Sequence, residues 1–180
     1  MSIIETAKSL IGKVEYVFGG GDIEGGKGDC SDFTEYVFKK SGYEIGSNTE
    51  EQWTGAGENI DKTNLQQGDL VFFKNTTDAT NYIDGVSHVG IYSGDNKFIH
   101  LSSSKGVTES DLTSEYWTQH YLGAKRVVEG SEGSETDKLH WWEIGKKRNQ
   151  LIRATLKLLI AVILLVMGAV FIYLSIDGSE

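Results

Sequence analysis

Among the side chains able to carry covalent chemistry, Cys30 stands apart because it is the only cysteine in the chain. A lone thiol makes no intramolecular disulfide. It acts as a nucleophile only as thiolate, and Cys30 lies where a helix should begin: residues 32–40 place Phe33, Tyr36 and Val37 on one helical face and stop at Ser41-Gly42. Unpaired amides and the dipole at a helix start favour the negative form, so a lowered thiol pKa is expected. Taken alone, a single cysteine is more often a small core hydrophobe than a nucleophile, and a base must be found within reach. His88 is the first candidate. It lies in the apolar run 86–92, and the next run, 97–101, carries His100. With strands at 87–93 and 97–103 joined by a three-residue loop, Gly94-Asp95-Asn96, residue 90 faces residue 100 and His88 is diagonal to His100 on one face. That suits a base, His88, whose far nitrogen is held by an orienting partner, His100. The same spacing also fits two strand histidines meeting solvent, and a register slip of one residue would part them. One thiol and two strand histidines, with no CxxC or HExxH pattern, argue against a zinc site; no metal or cofactor is expected.

The elements that must position these groups follow from the hydrophobic pattern. Ile3, Ile4, Ala7, Leu10, Ile11 and Val14 recur at helical spacing behind a capping Ser2, and Gly12 weakens the end of that helix. Residues 19–28 hold six glycines and read as a loop. Residues 43–67 are polar and irregular. Short apolar runs at 70–73, 86–92, 97–101 and 124–128 read as strands. Helices first and antiparallel strands after are the segregated order of an α+β domain.

The stretches DCSDFTEYVFKKSG (29–42), LQQGDLVFF (65–73), HVGIYSGDNKFIH (88–100) and GVTESDL…YW…YLGAKRV (106–127) occur in the order found in NlpC/P60 peptidases, and YVFGG (16–20) matches as well. Over about residues 3–128 the chain therefore resembles that family. The resemblance implies a papain-like α+β fold, with N-terminal helices packed on an antiparallel sheet. It also implies acyl-enzyme hydrolysis in which Cys30 attacks, His88 serves as base and then acid, and His100 orients His88. The Cys30 amide would hold part of the oxyanion, and Tyr16 looks like a hydroxyl donor near the thiolate or substrate, though a core aromatic fits equally. Asp29 and Ser31, flanking the thiol, would lie near the substrate groove, with a helix-capping role favoured for Asp29. The family substrate is the peptidoglycan stem peptide, usually cut between D-glutamate and a diamino acid. Three departures stand out: Phe18 where tryptophan is common, Asp32 where glycine is usual, and residues 74–85, which look like an insertion. His120 and His140 read as structural.

Residues 129–137 (EGSEGSETD) have linker composition, 138–157 form a basic segment, and 158–176 run nineteen positions without a charge. At 1.5 Å rise per residue that is roughly 28 Å, enough to cross a bilayer as a C-terminal transmembrane helix. The expected protein is thus a single-pass membrane protein, in a cellular or virion membrane. Residues 1–137 carry 11 Lys and Arg against 23 Asp and Glu, so phosphate repulsion excludes nucleic acid as a partner. Residues 138–180 carry six basic and three acidic residues, with Trp141 and Trp142 placed as an interfacial belt. The basic residues precede the span, which puts the domain on the cytoplasmic side, away from a cell wall. The start of the chain does not read as a secretory signal. A phage or mobile-element protein that opens the wall during entry or lysis reconciles these readings. The alternative is a cytoplasm-facing, tail-anchored cysteine amidase or acyltransferase acting on a lipid or protein.

Overall fold

The computed structural model describes residues 1–78, 82–127 and Thr155. The chain divides into two units, Met1–Ser134 and Glu135–Glu180, and the fold below is that of the first. The expected linker, the basic segment apart from Thr155, the span at 158–176 and His140 lie outside the described residues. Among the described residues no helix is long and apolar enough to cross a membrane.

Helix α1 (Ile3–Ser9) begins at a reciprocal cap: the Glu5 amide donates to Ser2 Oγ (3.1 Å) and the Ser2 amide to the Glu5 carboxylate (2.8 Å). It stops earlier than its apolar spacing suggests. Gly12 takes a left-handed φ of 73°, which turns the chain so that its amide donates to the Val107 carbonyl, while Val14 O accepts from the Val107 amide. Val14 thus reaches the core from an extended segment. The glycine-rich loop is pinned by a short parallel pair, β1 (Glu15–Tyr16) and β2 (Lys27–Gly28).

Helix α2 (Cys30–Lys40) starts at the thiol itself and buries Phe33, Val37 and Phe38. Helix α3 (Thr49–Gly55) lies in the stretch that reads as irregular, because its buried anchor is polar. Gln52, fully buried, donates to the carbonyls of Ser31 and Gly46 (both 3.1 Å) and accepts from Thr34 Oγ1 at 2.7 Å. A buried amide with these partners satisfied fixes α3 against α2 as an apolar contact would, with more directional constraint.

Six antiparallel strands follow: β3 (Glu58–Ile60), β4 (Leu70–Lys74), β5 (Val86–Gly94), β6 (Lys97–Ser102), β7 (Gly106–Asp111) and β8 (Tyr121–Arg126), in the order β3-β8-β4-β5-β6-β7. The fold is α+β, as the segregated order implies. Alternation divides the sheet cleanly. Leu70, Phe72, Val89, Ile91, Ile99 and Leu101 join α1 and α2 in the main core. Val71, Phe73, Tyr92 and Phe98 form a second cluster, which Trp117 of α4 (Glu115–His120) covers. The sheet end is tied by a bidentate ion pair, Arg126 Nε and Nη2 to the Asp69 carboxylate at 2.9 and 2.8 Å.

The expected three-residue hairpin loop is corrected. Gly94 pairs with Lys97, so the loop is Asp95-Asn96 alone, with φ of 50° and 57°, the positive pair that a type I′ turn demands. Ser93 is bulged out between Tyr92 and Gly94. The shorter loop and the bulge cancel, so Ile91 faces Ile99 in the register expected from the sequence.

Candidate active site

Cys30 is the first residue of α2, and Asp29 is its N-cap. Asp29 Oδ1 accepts from the amides of Ser31 (3.0 Å) and Asp32 (3.1 Å) and from Ser31 Oγ (2.8 Å). Its other oxygen accepts from the Gly19 amide at 3.1 Å. Asp32, the departure at a usual glycine, accepts from the amides of Gly21 (3.0 Å) and Asp29 (2.9 Å). The two carboxylates therefore clamp the glycine loop to the helix start, and Ser31 spends its hydroxyl on that clamp rather than facing outward.

The expected lowering of the thiol pKa is corrected by burial first and by Asp29 second. Burial, then the Asp29 charge, push Cys30 up to about 11. The positive end of the helix is already engaged by Asp29, so little of it is left to favour a thiolate. Three contacts oppose the rise: Thr49 Oγ1, 3.8 Å from the sulfur, and backbone hydrogen bonds from Val89 and Ser31. Thr49, the first residue of α3, is a neighbour that no sequence spacing announces.

The Val89 contact ties the thiol to the histidines. Pairing of β5 with β6 runs from the hairpin turn as far as Ile91 and Ile99. Beyond that point the β5 backbone, one residue after His88, meets the Cys30 sulfur. His88 and His100 lie on the second face of the sheet, against Phe73, Phe98 and Trp117. Their rings share a hydrogen bond, His88 Nε2 to His100 Nδ1 at 2.8 Å. His100 Nε2 is bonded in turn to Ser110 Oγ at 2.9 Å. Trp117 stacks on His88, with ring centroids 5.4 Å apart and 23° between planes. With Nε2 committed to His100, Nδ1 is the His88 nitrogen left to exchange a proton. Burial pushes His88 down to about 4, opposed by the Asp29 carboxylate, and holds His100 well below its usual range, helped by His88. The same carboxylate, that of Asp29, acts on thiol and imidazole alike.

Tyr16 is half-buried at the end of β1 and packs against the main core. Burial raises its hydroxyl pKa, and the next causes are the charges of Cys30, Asp29 and Tyr82. Tyr82 comes from the apparent insertion, which docks on α3: Trp53 Nε1 donates to Asp84 (2.9 Å) and the Ile83 amide to Glu50 (2.7 Å). Phe18, the departure at a usual tryptophan, is 77% exposed. His120 is bonded through Nδ1 to the Lys74 carbonyl at 2.8 Å and lies against Tyr116, which makes it part of the scaffold.

A thiol at the start of a helix packed on an antiparallel sheet, with a hydrogen-bonded imidazole pair on adjoining strands, defines the papain-like class of α+β thiol proteins. Within it the chain belongs to the NlpC/P60 family, whose sequence model matches residues 12–126. It is 39% identical over 125 residues to gamma-DL-glutamyl hydrolase of Bacillus subtilis, covering 69% of this chain and 28% of that protein. It is 37% identical over 119 residues to murein DD-endopeptidase MepS/murein LD-carboxypeptidase of Escherichia coli, covering 66% of this chain and 58% of that one. Among solved structures, an NLP/P60-family protein of Staphylococcus aureus, described as similar to a lipoprotein, superposes with a TM-score of 0.61 at 35% identity, covering 71% of this chain and 41% of the other. The chain thus spans under two thirds of the length of these relatives.

Proposed function

We propose that the domain is a cysteine peptidase that hydrolyses an amide bond in the peptide stem of bacterial peptidoglycan through a thioester on Cys30. The observation that carries this reading is the 2.8 Å bond between His88 and His100, set one residue from the amide that meets the Cys30 sulfur. His88 Nε2–H is held by His100 Nδ1, and His88 Nδ1 takes the thiol proton as the sulfur attacks the carbonyl carbon. Asp29 occupies the amides of Ser31 and Asp32, and the Cys30 amide, outside that set, serves the oxyanion. Collapse expels the amine, which leaves with the proton from His88. Water then gives a proton to His88 and attacks the thioester, and the thiol departs reprotonated. Because burial keeps the resting thiol protonated and the imidazole neutral, charge separates only with substrate in place.

The bond we favour lies between D-glutamate and a diamino acid. The Bacillus subtilis relative's name, gamma-DL-glutamyl hydrolase, supports that choice, whereas the Escherichia coli relative is named for DD and LD bonds. Tyr16, whose phenol feels the charge at Cys30, is the substrate-facing hydroxyl in this reading, with Asp29 and Ser31 shaping the groove from behind. Digestion of a panel of stem peptides differing in diamino acid and bond type, with products read by mass spectrometry, tests it. Cleavage only at DD bonds, or at none, overturns the bond assignment.

We infer further that residues 158–176 anchor the enzyme in a membrane, on the strength of their length and uncharged composition. A phage or mobile-element setting suits a wall-cutting domain on the basic side of such a span. Fractionation of the full chain and of a form lacking 158–176 decides this: loss of membrane association on deletion is expected, and equal partitioning contradicts it.

A further inference from the structure

We propose that Ser110 is a positioning residue for the catalytic histidines, the outer end of a hydrogen-bonded chain that fixes which nitrogen of each ring carries a proton. This rests on the peptidase reading given above. Ser110 is on β7, opposite Phe98 of β6 and diagonal to His100, whose direct partner is Thr108. Its hydroxyl lies 2.9 Å from His100 Nε2. His100 is 2% exposed, whereas Ser110 is only half-buried, so this hydroxyl is where the chain of hydrogen bonds reaches the rim of the domain.

The logic is one of polarity. His88 must offer Nδ1 as a lone pair, so its proton sits on Nε2 and is donated to His100 Nδ1. His100 Nδ1 is then an acceptor, and the remaining proton of that ring sits on Nε2, where it needs an acceptor of its own. Ser110 Oγ supplies it. Without the hydroxyl, a buried Nε2–H loses the partner it has on β7, and the ring is favoured to turn or to exchange tautomer. Either change reverses the bond to His88 and moves the His88 proton to the nitrogen that should take one from the thiol.

The test uses the full protein with ¹⁵N-labelled histidine, comparing wild type, Ser110→Ala and Ser110→Thr. Wild type and Ser110→Thr should show His100 as the Nε2–H tautomer, and Ser110→Ala should shift its ring nitrogens toward a mixed population. On a stem peptide, Ser110→Ala should lose about tenfold in kcat with KM unchanged, the size of one buried hydrogen bond, and Ser110→Thr should recover it. If the wild type cuts and Ser110→Ala cuts equally well, the positioning role is overturned while the peptidase reading stands. A fall in kcat with unchanged His100 ring signals overturns it too. If the wild type cuts nothing, the ring signals alone decide: a tautomer shift in Ser110→Ala upholds the chain of hydrogen bonds, and none refutes it.

Discussion

His88 Nε2 and His100 Nδ1 stand 2.8 Å apart across two strands, and the hairpin between them reaches that register by an unexpected route. A two-residue turn shortens the loop by one position and the bulge at Ser93 restores it. Register matters here because a slip of one residue would send one imidazole to the other face of the sheet. Removing His100 should therefore disable the base without removing it. His100→Ala is expected to lower kcat by about a hundredfold or more, and His100→Gln, whose carbonyl can still accept from His88, to recover part of it. Steady-state kinetics on a stem peptide check both.

Gly90 guards the same register. A Cβ there would lie 2.7 Å from the Phe98 ring, 2.9 Å from the Ile99 carbonyl and 3.0 Å from His100 Cβ. Two of these three neighbours are backbone or the root of the His100 side chain, which cannot yield as a flexible side chain could. Gly90→Ala should cost about 1–3 kcal/mol in denaturant unfolding, and the surviving folded protein should lose activity through the displaced His100. Full activity per folded molecule would contradict the tight fit.

The pH profile follows from burial. His88 is held down to about 4, so the acid limb of kcat/KM should fall near pH 4 rather than near the ordinary imidazole value of 6.5. The sign for stability is the same. Between about pH 6.5 and pH 4 the unfolded chain binds a proton at His88 that the folded one refuses, so acidification destabilises the fold, by roughly 3 kcal/mol at pH 4 from this group alone. Chemical denaturation at pH 7, 5.5 and 4 measures it; constant stability across that range would contradict a buried neutral His88.

Asp29 links helix capping to thiol chemistry. Asp29→Asn keeps an oxygen for the Ser31 and Asp32 amides, but its amide nitrogen cannot accept from Gly19, and it removes the charge that adds to burial in raising Cys30. The thiol pKa should drop, seen as faster alkylation of Cys30 at fixed alkaline pH, while stability falls by about 1–2 kcal/mol with the lost Gly19 bond. Slower alkylation in a folded variant would show that the capping amides, rather than the charge, govern the sulfur.

The sequence made legible what rests on local pattern. Cys30 at a helix start, two imidazoles on one sheet face and the α+β order all follow from spacing along one or two elements. The rest depends on partners far apart in the chain. Helix α3 carries no apolar period because its anchor is Gln52, whose partners lie on α2 and at Gly46. Strand β7 has Val107 as its one buried residue, too little alternation to read. Ser110, Thr49 and Trp117 meet the site only through tertiary packing. A helix start alone predicts a lowered thiol pKa; burial, which depends on packing far along the chain, and then the Asp29 charge raise it instead.

The most direct measurement is digestion of purified peptidoglycan by the wild-type protein, Cys30→Ala and His88→Ala, with products read by mass spectrometry. Release of stem-peptide fragments by the wild type alone is the expected result. Equal release by either variant, or none by the wild type from stems of every diamino acid, would contradict a Cys30–His88 peptidase.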